Sequence, residues 1–305
     1  LTAFETRYQE KRPFFVEGAG IFSFGQGGGG EGGGAGGGMM GGMMGGGGGG
    51  GGAEGGGPTQ LLYSRRIGDP PRGDIPDHAV YGDMPGSTTI LGAAKLTGRT
   101  AGGWSIGLLE AVTAREMAPY VDQNRQRSEA EVSPLSNYFV GRVRRDLRNG
   151  QSAVGAIGTA VHRELSDLAL ASELRSSAFT GGLDFFHEWS GRAWSLTGQV
   201  AGSRIAGEAG VIEDAQTSSA RYFQRPDAHH IEVDPTATTL SGYTANLELR
   251  RQAGLHWRGN LQASATSPRG TAAAGCDTTC AALRSGNSSC SFRECFCHPC
   301  GKHLL

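Results

Sequence analysis

Cysteine is missing from the first 275 of the 305 residues, and all six cysteines lie between Cys276 and Cys300. A main body without thiols excludes a disulfide-stapled framework there and suits an envelope or secreted protein. Nor is there a run of about 18 consecutive apolar residues, which removes membrane-spanning helices. It does not remove a spanning barrel, whose strands alternate and average out as polar. An excess of one charge is lacking too: 28 basic against 29 acidic residues leave a net charge of −1, so nothing favours nucleic acid as a partner. The chain opens on Leu1 with no basic, apolar leader and reads as a fragment.

Glycine, by contrast, is abundant and concentrated. The stretch Gly25 to Gly57 holds 24 of the 53 glycines and two methionine pairs, Met39–Met40 and Met43–Met44. Glycine has no side chain to bury and loses the most backbone entropy on ordering, so residues 25–59 are expected to form a flexible loop. The spacing GxGxxG recurs there by composition alone, with no helix former after it to complete a phosphate-binding turn. The methionines have no Cys or His beside them to complete a soft-metal site.

Past Pro58 the pattern has period two. "ILGAAKLTGR" puts Ile90, Gly92, Ala94, Leu96 and Gly98 on one face and Leu91, Ala93, Lys95, Thr97 and Arg99 on the other. "AWSLTGQVAGS", "GYTANLELR" and "LHWRGNLQASAT" divide in the same way into an apolar and a wet face. These runs extend about 10 to 13 residues, longer than the five or six usual in soluble domains and near the 9 to 11 of a tilted transmembrane strand. Strands are predicted at about 88–99, 103–115, 136–148 and 151–163. Asn149–Gly150 suits a tight type I′ hairpin, and "SGR" at 190–192 and "QAG" at 252–254 close two more. The links between hairpins are long: 116–135, 164–176 and 206–240. Short turns at one end and long loops at the other are the plan of an outer-membrane barrel. Trp104, Trp189, Trp194 and Trp257 fall at or near strand ends, where an aromatic girdle would lie, and Glu110 fits the apolar face only at a bulge or at the membrane edge. A soluble β-sandwich or propeller shares the alternation.

The stretches "FETRYQEKRPFFVEG", "LLYSRRIG", "ILGAAKLTGRTAGGWSIGLLEAVTAR", "NYFVGRVRRDL", "SSARYFQRPDA" and "LSGYTANLEL…HWRGNLQASATSP" resemble a family of uncharacterised bacterial outer-membrane proteins. In that family a domain like the family-nine carbohydrate-binding modules precedes a barrel resembling TonB-dependent receptors. The resemblance spans about residues 1–268. It implies a bacterial outer-membrane location, lipid around the barrel, an oligosaccharide or peptide solute, and a TonB-type energy-coupling partner. It also implies that the sugar-binding-like domain and further strands lie outside this chain.

Four segments are therefore expected: 1–24 leading into the barrel, 25–59 the glycine and methionine loop, 60–268 antiparallel barrel strands, and 269–305 a Cys-rich tail. The fold class is all-β, an antiparallel transmembrane β-barrel in part. The tail departs from the family pattern; its "CFCHPC" with His298 resembles half of a zinc site, and a shifted reading frame or disorder explains the abrupt change better. In the loop "RPDAHHIEVDP", Asp227, His229, His230, Glu232 and Asp234 supply oxygen and imidazole donors that could hold a divalent ion, or form an ordinary solvated loop. On the wet faces Lys95, Arg99, Arg142, Arg144, Glu248, Arg250 and Arg258 are expected to face a lumen and meet solute. Arg65, Arg66, Arg142, Arg144 and Arg145 form basic clusters beside strands that would line a polar lumen and meet anionic solutes or lipopolysaccharide, or cap hairpin ends. No GxSxG elbow or HExxH helix is found to order Ser, His and Asp into a catalytic site, and no cofactor is expected. The expected role is non-catalytic: binding or passage of an oligosaccharide or similar solute. The alternative is a secreted β-rich carbohydrate-active enzyme or carbohydrate-binding module.

Overall fold

A computed structural model describes residues 8–25, 61–218, 221–226, 231–253 and 258–267, and the backbone of 280–285 and 292–295. The period-two segments are strands: β1 (Ala79–Gly82), β2 (Ile90–Arg99), β3 (Trp104–Thr113), β4 (Glu116–Asp122), β5 (Arg127–Ser133), β6 (Ser136–Leu147) and β7 (Ser152–Arg163). They continue as β8 (Ser177–Trp189), β9 (Trp194–Ala206), β10 (Thr239–Arg251), β11 (Gly259–Thr266), β12 (Cys280–Ser285) and β13 (Phe292–Cys295). Ten of them form one antiparallel sheet in the order β13-β12-β11-β10-β9-β8-β7-β6-β3-β2, and β1-β4-β5 form a second. The fold is thus mostly β and antiparallel. Among the described residues the large sheet is open, with β2 and β13 at its edges.

Two of the expected hairpins close where their turn residues say they should; of the third, expected at 252–254, residue 254 lies outside the described residues and β11 begins only at Gly259. Arg148, Asn149 and Gly150 all take positive φ (51°, 54° and 82°) between β6 and β7, and Ser190, Gly191 and Arg192 do so between β8 and β9. Gly103, at φ 80°, ends the turn from β2 to β3; a Cβ there would stand 2.5 Å from the carbonyl oxygen of Asp146, so glycine is required. The opposite ends of the strands carry the long links. One holds α2 (Leu168–Glu173), capped by Asp167 Oδ1 accepting from the Ala169 amide at 2.7 Å. Another holds α3 (Ala209–Thr217), whose Ile212 and Ala215 pack with Ile205, Phe223, Ile231 and Leu240.

The link 116–135, expected as a plain loop, contains the β4–β5 hairpin. Pro119 within "EMAPYVD" argues against a strand, yet it pairs with Glu129 beside the short, bulged β1. Of the expected Cys-rich tail, the described residues are β12 and β13, which extend the sheet beyond β11. The glycine and methionine run lies outside the described residues.

The segment 8–25 lies across one face of the large sheet. It contains α1 (Pro13–Val16) and a 3₁₀ turn at Ala19–Phe22, and its Phe15, Phe22 and Phe24 are buried with Leu109, Ala111, Val140, Ile157 and Ala201. After the glycine run the chain returns to the same cluster with Leu61, Leu62 and Ile67. This is the covered face; among the described residues no segment packs across the other, the bare face.

Candidate functional site

Strand register assigns every side chain to one face. Arg142 is opposite Gly107 and Ile157, Ile157 is opposite Gly182, and Gly182 opposite Ala201, so these positions and their neighbours at i±2 share the covered face. That face carries Lys95, Arg99, Arg142, Arg144, Glu248 and Arg250, six of the seven residues expected to face a lumen. Arg258 is exposed and precedes β11. Between the charges lie Thr197, Gln199, Asn246, Asn260 and Gln262, polar groups without formal charge.

The charges do not converge on one point. Lys95 donates from Nζ to the carbonyls of Phe14 and Glu17 and so holds the covering segment. Arg99 and Arg144 share Asp146, at 2.5 and 3.1 Å. Glu248 and Arg250 pair at 2.6 Å further along the sheet. Arg142 is 1% exposed and donates through both terminal nitrogens to Asp184, at 2.5 and 2.8 Å. Gly155, on the strand between them, makes the bridge possible: a Cβ there would stand 2.8 Å from both partners. Phe24 lies over the Arg142 guanidinium at 5.8 Å, and the Gly25 amide points at Asp184 Oδ2 from 3.4 Å. Most of the expected solute-facing cations are therefore already engaged by carboxylates or carbonyls.

A second group of cations contains Arg66, expected in a basic cluster, with three arginines that were not expected as a site. At the long-link end of the covered face a cavity of about 220 Å³ lies between the returning segment 61–72 and the ends of β6, β7 and β8. Arg66, Arg72, Arg163 and Arg175 line it, with Asp69 as the one lining carboxylate, 3.6 Å from Arg72. Arg163 Nη1 donates to the Arg175 carbonyl at 3.0 Å. Burial, and then the charges of Arg163, Arg72 and Arg66, push the Arg175 guanidinium below its ordinary pKa. The only sequence signal was the "SRR" of Ser64–Arg66; Arg72 follows in the same returning segment, while Arg163 and Arg175 come from β7 and the link before β8.

The bare face carries many exposed apolar side chains. Leu96, Ile106, Leu108, Phe139, Val143, Leu183, Phe185, Val200, Leu247 and Leu261 stand exposed on it. Trp104, Trp189 and Trp194 lie on it at the short-turn end, with the last two stacked at 6.2 Å, His187 stacked on Trp189, and Arg145 and Arg251 over Trp104 and Trp194. Glu110 lies on this face towards the long links and accepts from Asn137 Nδ2 at 3.1 Å.

Of the expected metal donors, Asp227, His229 and His230 lie outside the described residues. Asp234 spends its carboxylate on the Thr236 amide and hydroxyl, at 2.9 and 2.7 Å. Among the described residues no group of three or more His, Cys, Asp or Glu side chains could hold a metal ion. "GWSIG" at Gly103–Gly107 has the GxSxG spacing of a hydrolase nucleophile, a match that sequence reasoning passed over. It runs from a hairpin turn into β3 with no following helix, and Ser105 is buried on the covered face, so the strand-to-helix elbow is absent.

A family model described as a domain of unknown function, DUF5916, matches residues 57–267. The match begins at the end of the glycine run, so "FETRYQEKRPFFVEG" lies outside it. No curated protein and no solved structure matches the chain.

Proposed function

The chain belongs to the DUF5916 family, a membership that brings no activity with it, and from the structure we propose that it forms part of an outer-membrane β-barrel that binds or passes an oligosaccharide or similar polar solute without catalysis. The observation that carries this reading is the inversion of the two faces: the bare face is apolar and the covered face holds the charges. In water the large exposed leucines and phenylalanines would be an aggregation hazard; against lipid they are required.

Dimensions support the reading. On the bare face Ser152 and His162 bound an uncharged run on β7, Ser177 and His187 one on β8, and Ser241 and Arg251 one on β10. Each pair is ten residues apart, about 33 Å along a strand. Tilted by about 40°, that run stands about 25 Å tall, the height of the apolar band of such barrels. The tryptophans at the short-turn end fit an interfacial girdle, and long links at the other end fit the external side. On the covered face Thr, Asn and Gln side chains offer donors and acceptors for sugar hydroxyls. The covering segment would narrow the passage over β2 to β9. A TonB-type coupling partner belongs to the same proposal.

The test is fractionation of the protein made in a Gram-negative host, followed by gel migration before and after boiling. Recovery in the outer membrane with faster migration when unheated is expected. A soluble protein without heat-dependent migration would refute the reading.

A further inference from the structure

The two ends of the large sheet differ in charge, and that difference points to a partner for the proposed barrel, so the inference rests on that reading. At the short-turn end, residues 99–105, 144–152, 187–195, 248–253 and 258–260 hold eight arginines against three carboxylates, a net +5. At the opposite end, the described residues of the three long links, 114–135, 164–176 and 207–238, hold six arginines against twelve carboxylates, a net −6. A chain with an overall charge of −1 is thus strongly polarised along its strands. The three carboxylates at the short-turn end all lie on the covered face: Asp146 meets Arg99 and Arg144, Glu188 meets Arg192, and Glu248 meets Arg250.

The bare face is different. Among the described residues of β2 to β11 its one carboxylate is Glu110, towards the long links. At the short-turn end it carries Arg145, exposed over the Trp104 ring at 5.0 Å, and Arg251, over Trp194 at 5.4 Å. Arg148 stands exposed in the turn just beyond β6. An arginine over a tryptophan at the border of an apolar band suits a headgroup layer. The ring and the arginine stem lie in the apolar margin, while the guanidinium reaches out to phosphate oxygens, two at a time. We infer that the short-turn rim docks on the headgroup phosphates of anionic phospholipids, with Arg145, Arg148 and Arg251 as its contacts. The acidic links at the other end are repelled by the same headgroups, so charge sets which end of the sheet faces an anionic leaflet.

The test uses the full chain inserted into vesicles of phosphatidylcholine mixed with phosphatidylglycerol, one or the other brominated in its acyl chains. Quenching of tryptophan fluorescence reports which lipid borders the rim. A preference for the anionic lipid of about fivefold or more is expected at low salt, the scale of one arginine at a charged surface, and it should shrink as salt rises. Arg145→Gln/Arg148→Gln should bring that preference below about twofold. Arg125→Gln/Arg127→Gln removes the same charge from the exposed β4–β5 hairpin at the other end and should leave the preference as it was. Equal quenching by the two lipids in inserted parent protein would overturn the inference and leave the barrel standing. An undiminished preference in the inserted rim variant would overturn it as well, and so would an equal loss in both double variants, since overall charge would then be the cause. Failure to insert into phosphatidylcholine alone would remove the barrel reading, and the inference with it.

Discussion

Replacing Leu183 by arginine separates a lipid-facing sheet from one bathed in water. Leu183 is the central residue of β8, 61% exposed on the bare face, with Ala156 and Val200 as its cross-strand neighbours. If that face meets water, the substitution changes an exposed side chain that fills no cavity, and the effect on stability stays within about 0.5 kcal/mol. If it meets lipid, the guanidinium sits near the bilayer midplane and costs about 2–4 kcal/mol. At about 1.4 kcal/mol per factor of ten, that is a fall of roughly 30-fold to 700-fold in the folded to unfolded ratio. The assay is reversible denaturant unfolding in lipid vesicles, followed by tryptophan fluorescence, comparing parent, Leu183→Arg and the covered-face control Asn246→Arg. A loss of about 2 kcal/mol or more in the first variant, with a smaller one in the control, is expected. A shift below about 0.5 kcal/mol for Leu183→Arg in folded, vesicle-inserted protein would refute the argument from inverted faces.

Three further outcomes follow from local geometry. Asp184→Ala leaves Arg142 buried without its counter-charge and should lower stability by about 3–5 kcal/mol, whereas the double variant Arg142→Met/Asp184→Leu should recover most of that loss; denaturant midpoints decide it. Gly182→Val would put a Cβ 2.5 Å from the ring of Phe24, so the covering segment should become accessible to protease near residues 8–25 while strand content by circular dichroism is kept. The Glu10 carboxyl is held at about 2, chiefly by its hydrogen bond to Arg12, below its ordinary 4.5. Its contribution to anchoring the covering segment is therefore full above about pH 4.5 and is lost as pH falls through about 2; Glu10→Gln should flatten that dependence in amide exchange of residues 8–25.

Strands and their faces were legible because alternation and turn residues are local signals. Asn149–Gly150 marked its turn, and the faces assigned to 92–99 and 194–203 are those of the paired sheet, whereas a register shift after Ile90 turns that residue to the covered face instead of the face expected for it. The β4–β5 hairpin was not legible, since Pro119 contradicts a strand and "RSEAEVS" offers only Ala130 and Val132 as apolar residues on its alternating face. The site was legible only as a face. That Lys95, Arg99, Arg142, Arg144, Glu248 and Arg250 would share it followed from period two. Asp184 as the partner of Arg142, 42 residues away, did not, because sequence spacing does not encode contacts between strands. The arginine cavity was invisible for the same reason: its four cations meet only after the chain has crossed the sheet and returned.

The bridge over Gly155 bears on how the meander finds its register. A slip by one residue would turn Arg142 to the bare face, which the alternation itself forbids. A slip by two keeps every face correct, and in strands this rich in glycine and alanine few side chains would object. The bridge would object: moving β8 by two residues puts Phe186 or Gly182 opposite Gly155 in place of Asp184, and moving β7 puts Ala153 or Ile157 where only a missing side chain lets the ion pair pass. Either error strands two opposite charges away from each other. The pair thus serves as a proofreading mark for strand alignment, whatever its net contribution to stability.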